Sequence, residues 1–311
     1  MSSEPLAGRQ AAPGGPSSSA AAAAADLAVH SSGSTGEWFR QVGGVLRLEL
    51  KKTFLSKRGW WIYCLALGPF AIVVLHWLVE LQRSRGAFNG RHSLGEDSIA
   101  FAAIFLFYYL RAGLFFGCMG IFANLFRAEM LEKTLHYYFL TPLRREVLVA
   151  GKYLAGLSVA LVLWVGSVTA SFLLIGKHFG AAWSEYLWHG PGMSQLGHYA
   201  LVTALACVGY GAVFLMCGIL FKNPFIASAI VWVWEGINPF MPSVLKKISV
   251  IFYLKGLCPV EVPVPPPFNV MVTDTDATPF WIAVPGLLAV AAILLVYSAI
   301  SAKNAEISYG E

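Results

Sequence analysis

The sequence predicts an all-α membrane protein that crosses the bilayer six times, and three observations carry that expectation. Of 311 residues, 57% are hydrophobic and 13% charged, where a soluble domain carries about 25% charged residues. Residues 59–79, 153–176 and 277–302 hold no charge at all, and each run reaches the ~20 residues that a membrane-spanning helix needs. The basic residues gather beside such runs, as they do at cytoplasmic flanks. A soluble enzyme is thereby excluded. So is a nucleic-acid-binding domain, despite the net charge of +5.

Taken in order, residues 1–36 form a Ser-, Gly-, Pro- and Ala-rich tail with alanine from Ala20 to Ala25. Such a composition buries too little apolar surface to offset ordering, so disorder is expected. It lacks a basic n-region before an apolar h-region and is no signal peptide. Residues 37–58 interleave Trp38, Phe39, Val42, Val45 and Leu46 with Arg40, Arg47, Lys51 and Lys52. That pattern suits an amphipathic helix lying at the membrane surface, against lipid headgroups. Spans are expected at about 59–79, 99–124, 153–175, 199–221, 225–240 and 279–300, within a six-span domain covering 59–301. A cytoplasmic tail, 302–311, closes the chain. Between spans five and six, Val244, Leu245, Ile248, Ile251 and Phe252 follow helical spacing in a stretch too short and too basic to cross. A re-entrant or interfacial helix is expected there.

Lys and Arg counts set the orientation. With the N-terminus inside, six fall in 37–58 and five in 125–152. Lys222 and Lys303 bring the inner total to 13, against 7 in the outer loops. Both termini are therefore placed in the cytoplasm, at the inner (cytoplasmic) membrane.

The usual catalytic signatures are missing. No G-x-x-x-x-G-K-[ST] loop, H-E-x-x-H pair or G-x-S-x-G elbow occurs. His178, Glu185, His189, Met193 and His198 share one outer loop, but their spacing is no ligand motif, and no metal is expected from it. The five cysteines lie mostly inside apolar runs and read as free thiols.

The most informative stretch follows span two. From Arg127 to Arg145 it presents Glu129, Glu132, Lys133, Thr134-Leu135, Thr141-Pro142 and Arg144-Arg145, and then Gly151-Lys152 opens span three. Glu129 and Lys133 stand in the favoured i,i+4 order on a helix. Thr141-Pro142 stops that helix. This loop, with Val231-Trp232-Val233-Trp234-Glu235 and the six-span layout, resembles the ABC-2 type permease family, the membrane subunits of ATP-binding-cassette exporters. The resemblance implies that 125–152 is the coupling loop gripped by a separate ATPase, through Arg127, Glu129, Glu132, Lys133, Thr134, Leu135, Pro142, Arg144 and Arg145. It also implies a second permease as dimer partner, with ATP and Mg bound by the ATPase and no cofactor or catalytic residue in this chain. Two alternatives stay open: a subunit that passes mechanical work without through-transport, and a membrane-embedded enzyme acting on lipid. No motif selects a substrate.

Two charges sit deep in spans. Arg111 stands 13 residues before Asn124 (124 − 111) and Glu235 stands 13 after Lys222 (235 − 222). At 1.5 Å per residue each lies about 20 Å from the inner boundary. A charge at that depth normally faces a bundle interior or a partner. Arg111 and Glu235 are therefore candidates for lining or gating a translocation path, or for a structural tie.

Overall fold

The computed structural model describes residues 35–54, 59–84, 93–131, 145–221, 223–260, 262 and 278–304. Among them about 90% are helical and none is in a strand. The chain divides into two compact units, Met1–Gln41 and Val42–Glu311. In the first, Trp38 and Phe39 pack edge to face at 5.1 Å. The expected tail falls outside the described residues up to position 34.

Among the described residues, five helices are long and apolar enough to cross a membrane. After α1 (Thr35–Phe54) come α2 (Trp60–Ser84) and the composite helix α3, which begins at Leu94 and ends at Leu131. Helix α4 (Arg145–Ile175) leads through a 3₁₀ turn, Lys177–Phe179, to the short α5 (Ala181–Trp188). Then come α6 (Gly192–Leu220) and α7 (Pro224–Ile237). Two short helices, α8 (Ser243–Lys246) and α9 (Val250–Lys255), precede α10 (Phe280–Asn304).

Several boundaries differ from the hydropathy reading, each for a local reason. α3 begins at Leu94, not near 99, because Ser93 and Glu96 form a capping box: the Glu96 amide donates to Ser93 Oγ at 3.2 Å and the Ser93 amide to Glu96 Oε2 at 2.7 Å. α4 begins at Arg145 instead of 153, since a charge at the membrane edge does not stop a helix. α7 has 14 residues, about 21 Å of rise, short of the ~30 Å hydrocarbon thickness. Asn223-Pro224 opens it and Asn238-Pro239 ends it. The apolar stretch after it is two short helices, with residues 247–249 as the break.

α3 carries π-helical segments at Ile104–Gly113 and Met119–Ala123, and its glycines form a groove. A Cβ on Gly113 or Gly117 would run into the indole of Trp164, which is fully buried. Small residues let membrane helices approach this closely. Tyr109 on α3 pairs its hydroxyl with Ser167 and Ser171 of α4, both at 2.9 Å. Ser167 in turn donates to the carbonyl of Ala66 on α2. These bonds lock the first three long helices in register. Outward-facing Ile226, Ile230, Val233, Ile293, Val296 and Ile300 leave apolar surface on α7 and α10, as lipid contact requires.

All five cysteines are free. Burial pushes the Cys258 thiol, in the loop after α9, up to about 12 against the opposing pull of Lys255, so it stays protonated and unreactive.

Gly218 gives a direct test of the α3–α6 contact. A Cβ there would lie 2.7 Å from the carbonyl oxygen of Ala123 and 3.1 Å from its Cα. Those are backbone atoms and cannot swing aside. Gly218→Ala is expected to cost about 1–3 kcal/mol, read as a lower unfolding midpoint in detergent. Gly166→Ala, where a Cβ meets nothing within 4 Å, is the control. Equal midpoints for the two variants overturn the packing account.

Candidate functional site

Two polar constellations among the described residues carry buried charged side chains at the junctions of helices. The first lies where α1, α3 and α4 meet. Val42, Val45 and Glu49 follow i, i+3, i+7 spacing and are all buried, so one face of α1 is apolar except for an acid. On α4, Lys152 is fully buried. Its Nζ donates to Glu49 Oε1 at 2.8 Å and to the Leu125 carbonyl of α3 at 3.0 Å. The ammonium also sits 5.4 Å from the centroid of the Phe126 ring, within cation–π range. Next to it, a Cβ on Gly151 would collide with Val45, so glycine at 151 is what lets α1 approach. One lysine thus ties three helices together.

Lys152 and Glu49 were not among the residues that the sequence assigns to coupling. Of those that were, Arg127 is half-buried on the last turns of α3. Glu129 lies on the same helix, its side chain outside the described set. Glu132, Lys133, Thr134, Leu135, Pro142 and Arg144 also lie outside the described residues. Arg145 opens α4, and its Nη1 donates to the Ala302 carbonyl on α10 at 3.2 Å. Both ends of the 125–152 stretch therefore rest on fixed points. The leading end meets Lys152 at Leu125, and the returning end carries Lys152 and Arg145.

The second constellation is deeper. Glu235, near the end of α7, is 8% exposed. Its carboxylate accepts from Ser249 Oγ at 2.7 Å, from the Val250 amide at 3.0 Å and from the Ile251 amide at 3.0 Å. It therefore caps α9 from outside, satisfying first-turn amides that have no partner within their own helix. That capping explains why the expected single helix at 244–252 breaks before Val250. Arg111, in the π-helical part of α3, lies within electrostatic reach of Glu235, and the buried Tyr210 lies beside both. The Nε of Arg111 is buried without a hydrogen-bond partner. Arg111 and Glu235 are thus neighbours, but the carboxylate is engaged by α9.

The first constellation can transmit displacement, since moving Lys152 moves parts of three helices. The second can hold the start of α9 in place. No family model matches the sequence, and no curated protein matches it.

Proposed function

We propose that this chain is the permease subunit of an ABC-2 type exporter, driven by a separate ATP-binding-cassette subunit. In this reading α7 with residues 238–240 is the fifth of six spans, α1 lies along the inner membrane surface, and 125–152 is the coupling loop. The observation that supports it best is the buried Glu49–Lys152–Leu125 tie at the root of that loop. A segment meant to carry work from an ATPase into the membrane needs a stiff base, and buried charged hydrogen bonds between three helices provide one. A second permease completes the translocation path, which Arg111 and Glu235 border. Catalysis and the binding of ATP and Mg belong to the partner ATPase.

The test is native purification of the full-length protein in detergent. A Walker-motif ATPase is expected to come with it. Charge reversal at the loop, Glu132→Lys with Arg144→Glu, is expected to cut ATPase recovery at least ~10-fold, since juxtaposed like charges cost several kcal/mol. Recovery of the permease without any ATPase, from cells expressing both, overturns the reading. Reconstitution of the complex into vesicles then separates transport from work passed on without through-transport. ATP-dependent solute movement supports the exporter. ATP hydrolysis without movement of any solute assigns the chain to the mechanical alternative.

A further inference from the structure

The ends of three spans bring together His76, Asp97 and His178, from α2, the first turn of α3 and the 3₁₀ turn after α4. Their ligand atoms all lie within 4.8 Å of one another. Asp97 Oδ2 is 3.3 Å from His76 Nε2 and 3.4 Å from His178 Nε2. The carboxylate is 3% exposed and the His178 ring 9%, while His76 is 29% exposed and opens the cluster to small solutes.

The orientation of the His178 ring is fixed from its far side. His178 Nδ1 lies 3.1 Å from the carbonyl of Ile175. A carbonyl only accepts, so Nδ1 carries a hydrogen, and this bond fixes the ring with Nε2 facing Asp97. That Nε2 is buried and makes no hydrogen bond. A cation held between this nitrogen and the carboxylate oxygen 3.4 Å away would serve both as ligands. Fixing the ring through its other nitrogen is how metal-binding histidines are oriented.

We propose that His76, Asp97 and His178 form a binding site for a divalent transition-metal cation of the Zn²⁺ class. Zn–N and Zn–O bonds of about 2.0–2.1 Å in a tetrahedron put ligand atoms about 3.3–3.4 Å apart. That is the spacing of both imidazole–carboxylate pairs. Two imidazoles and one carboxylate suit zinc or its neighbours and disfavour magnesium and calcium, which prefer all-oxygen shells. Three protein ligands leave a fourth position open. Asp97 borders a cavity of about 10 Å³ walled by Phe101, Phe172, Phe179 and Trp183, room for about one water. The site sits at the end of the bundle opposite Lys152. It stands on this geometry alone and does not depend on the transport reading. The ligands come from three separate helices, which is why spacing along the outer loop gave no sign of it.

Full-length protein, with any affinity tag removed and metal stripped by chelator, is titrated with Co²⁺. One equivalent is expected to bind, with the intense visible bands of low-coordinate cobalt. Zn²⁺ is expected to displace it, and Mg²⁺ is not. His178→Gln and Asp97→Asn are expected to weaken binding at least ~100-fold, the upper range even for loss of an outer-shell partner. His189→Gln is expected to bind as the wild type does. The wild-type stoichiometry and spectrum need no variant, so a misfolded mutant does not blunt the test. Absence of saturation at one equivalent, an octahedral aquo-type spectrum, or equal loss in His189→Gln and His178→Gln each overturns the site.

Discussion

Replacing Lys152 by methionine is expected to destabilise the protein by about 3–5 kcal/mol, the range for removing one member of a buried ion pair. The cost comes from what is left behind. Glu49 is 2% exposed, and its carboxylate would lose the ammonium 2.8 Å away, while the Leu125 carbonyl would lose a charged donor. The methionine chain still fills the lysine's volume, so packing loss is small and the effect reports the charge. Glu49→Leu alone is expected to cost a similar amount by stranding the ammonium. The double variant, Glu49→Leu with Lys152→Met, is expected to recover most of the loss, because apolar replacement of a whole buried pair is often neutral or better. Unfolding midpoints for the four proteins in one detergent close the cycle. A Lys152→Met protein within about 0.5 kcal/mol of wild type would mean that the pair is not charged in the folded state. The double variant has a second use. If residues 125–152 couple to an ATPase as proposed above and the tie stiffens their root, that protein folds yet hydrolyses ATP in the proposed complex without moving solute.

The sequence and the structure part company in ways that have physical causes. The long helices were legible because bilayer thickness imposes a minimum apolar length, and residues 59–79, 153–176 and 277–302 display it without ambiguity. Their ends were less legible. Hydropathy registers where charge begins, whereas helices end at caps and prolines, and α3 starts where Ser93 and Glu96 permit. That box, Ser-x-x-Glu, was readable. So was Glu49, the one acid on the Val42–Val45 face of α1, which signals a buried partner. Lys152 itself carried no such mark, since a basic residue at the inner end of a span serves orientation equally well. That Arg111 and Glu235 each face a bundle interior or a partner could be framed from depth alone. What depth could not show was a third claimant, the amides of α9. The cluster of His76, Asp97 and His178 was beyond reach, because 21 residues separate the first two and 81 (178 − 97) the others.

Glu235 is where gate and tie can be separated. Glu235→Ala is expected to cost about 3–5 kcal/mol, since it removes the acceptor for a hydroxyl and two amides, each bonded to a charged group. Ser249, Val250 and Ile251 are at most 4% exposed, so water does not replace it freely. Glu235→Gln is expected to cost about 1–3 kcal/mol, because one carbonyl oxygen survives while the new amide group turns a donor toward donors. Arg111→Met should behave differently. The guanidinium Nε is already buried without a partner, so its removal is expected to change stability by less than about 1 kcal/mol. Reversing both charges, Arg111→Glu with Glu235→Arg, is expected not to rescue the fold, since arginine has no acceptor to offer the Val250 and Ile251 amides. Unfolding midpoints measured across this set decide the matter. If the reversed pair regains wild-type stability, Arg111 holds Glu235 and the α9 bonds are incidental. If Arg111→Met folds normally but slows solute movement by the complex proposed above, the arginine works on the path while the glutamate holds α9 beside it.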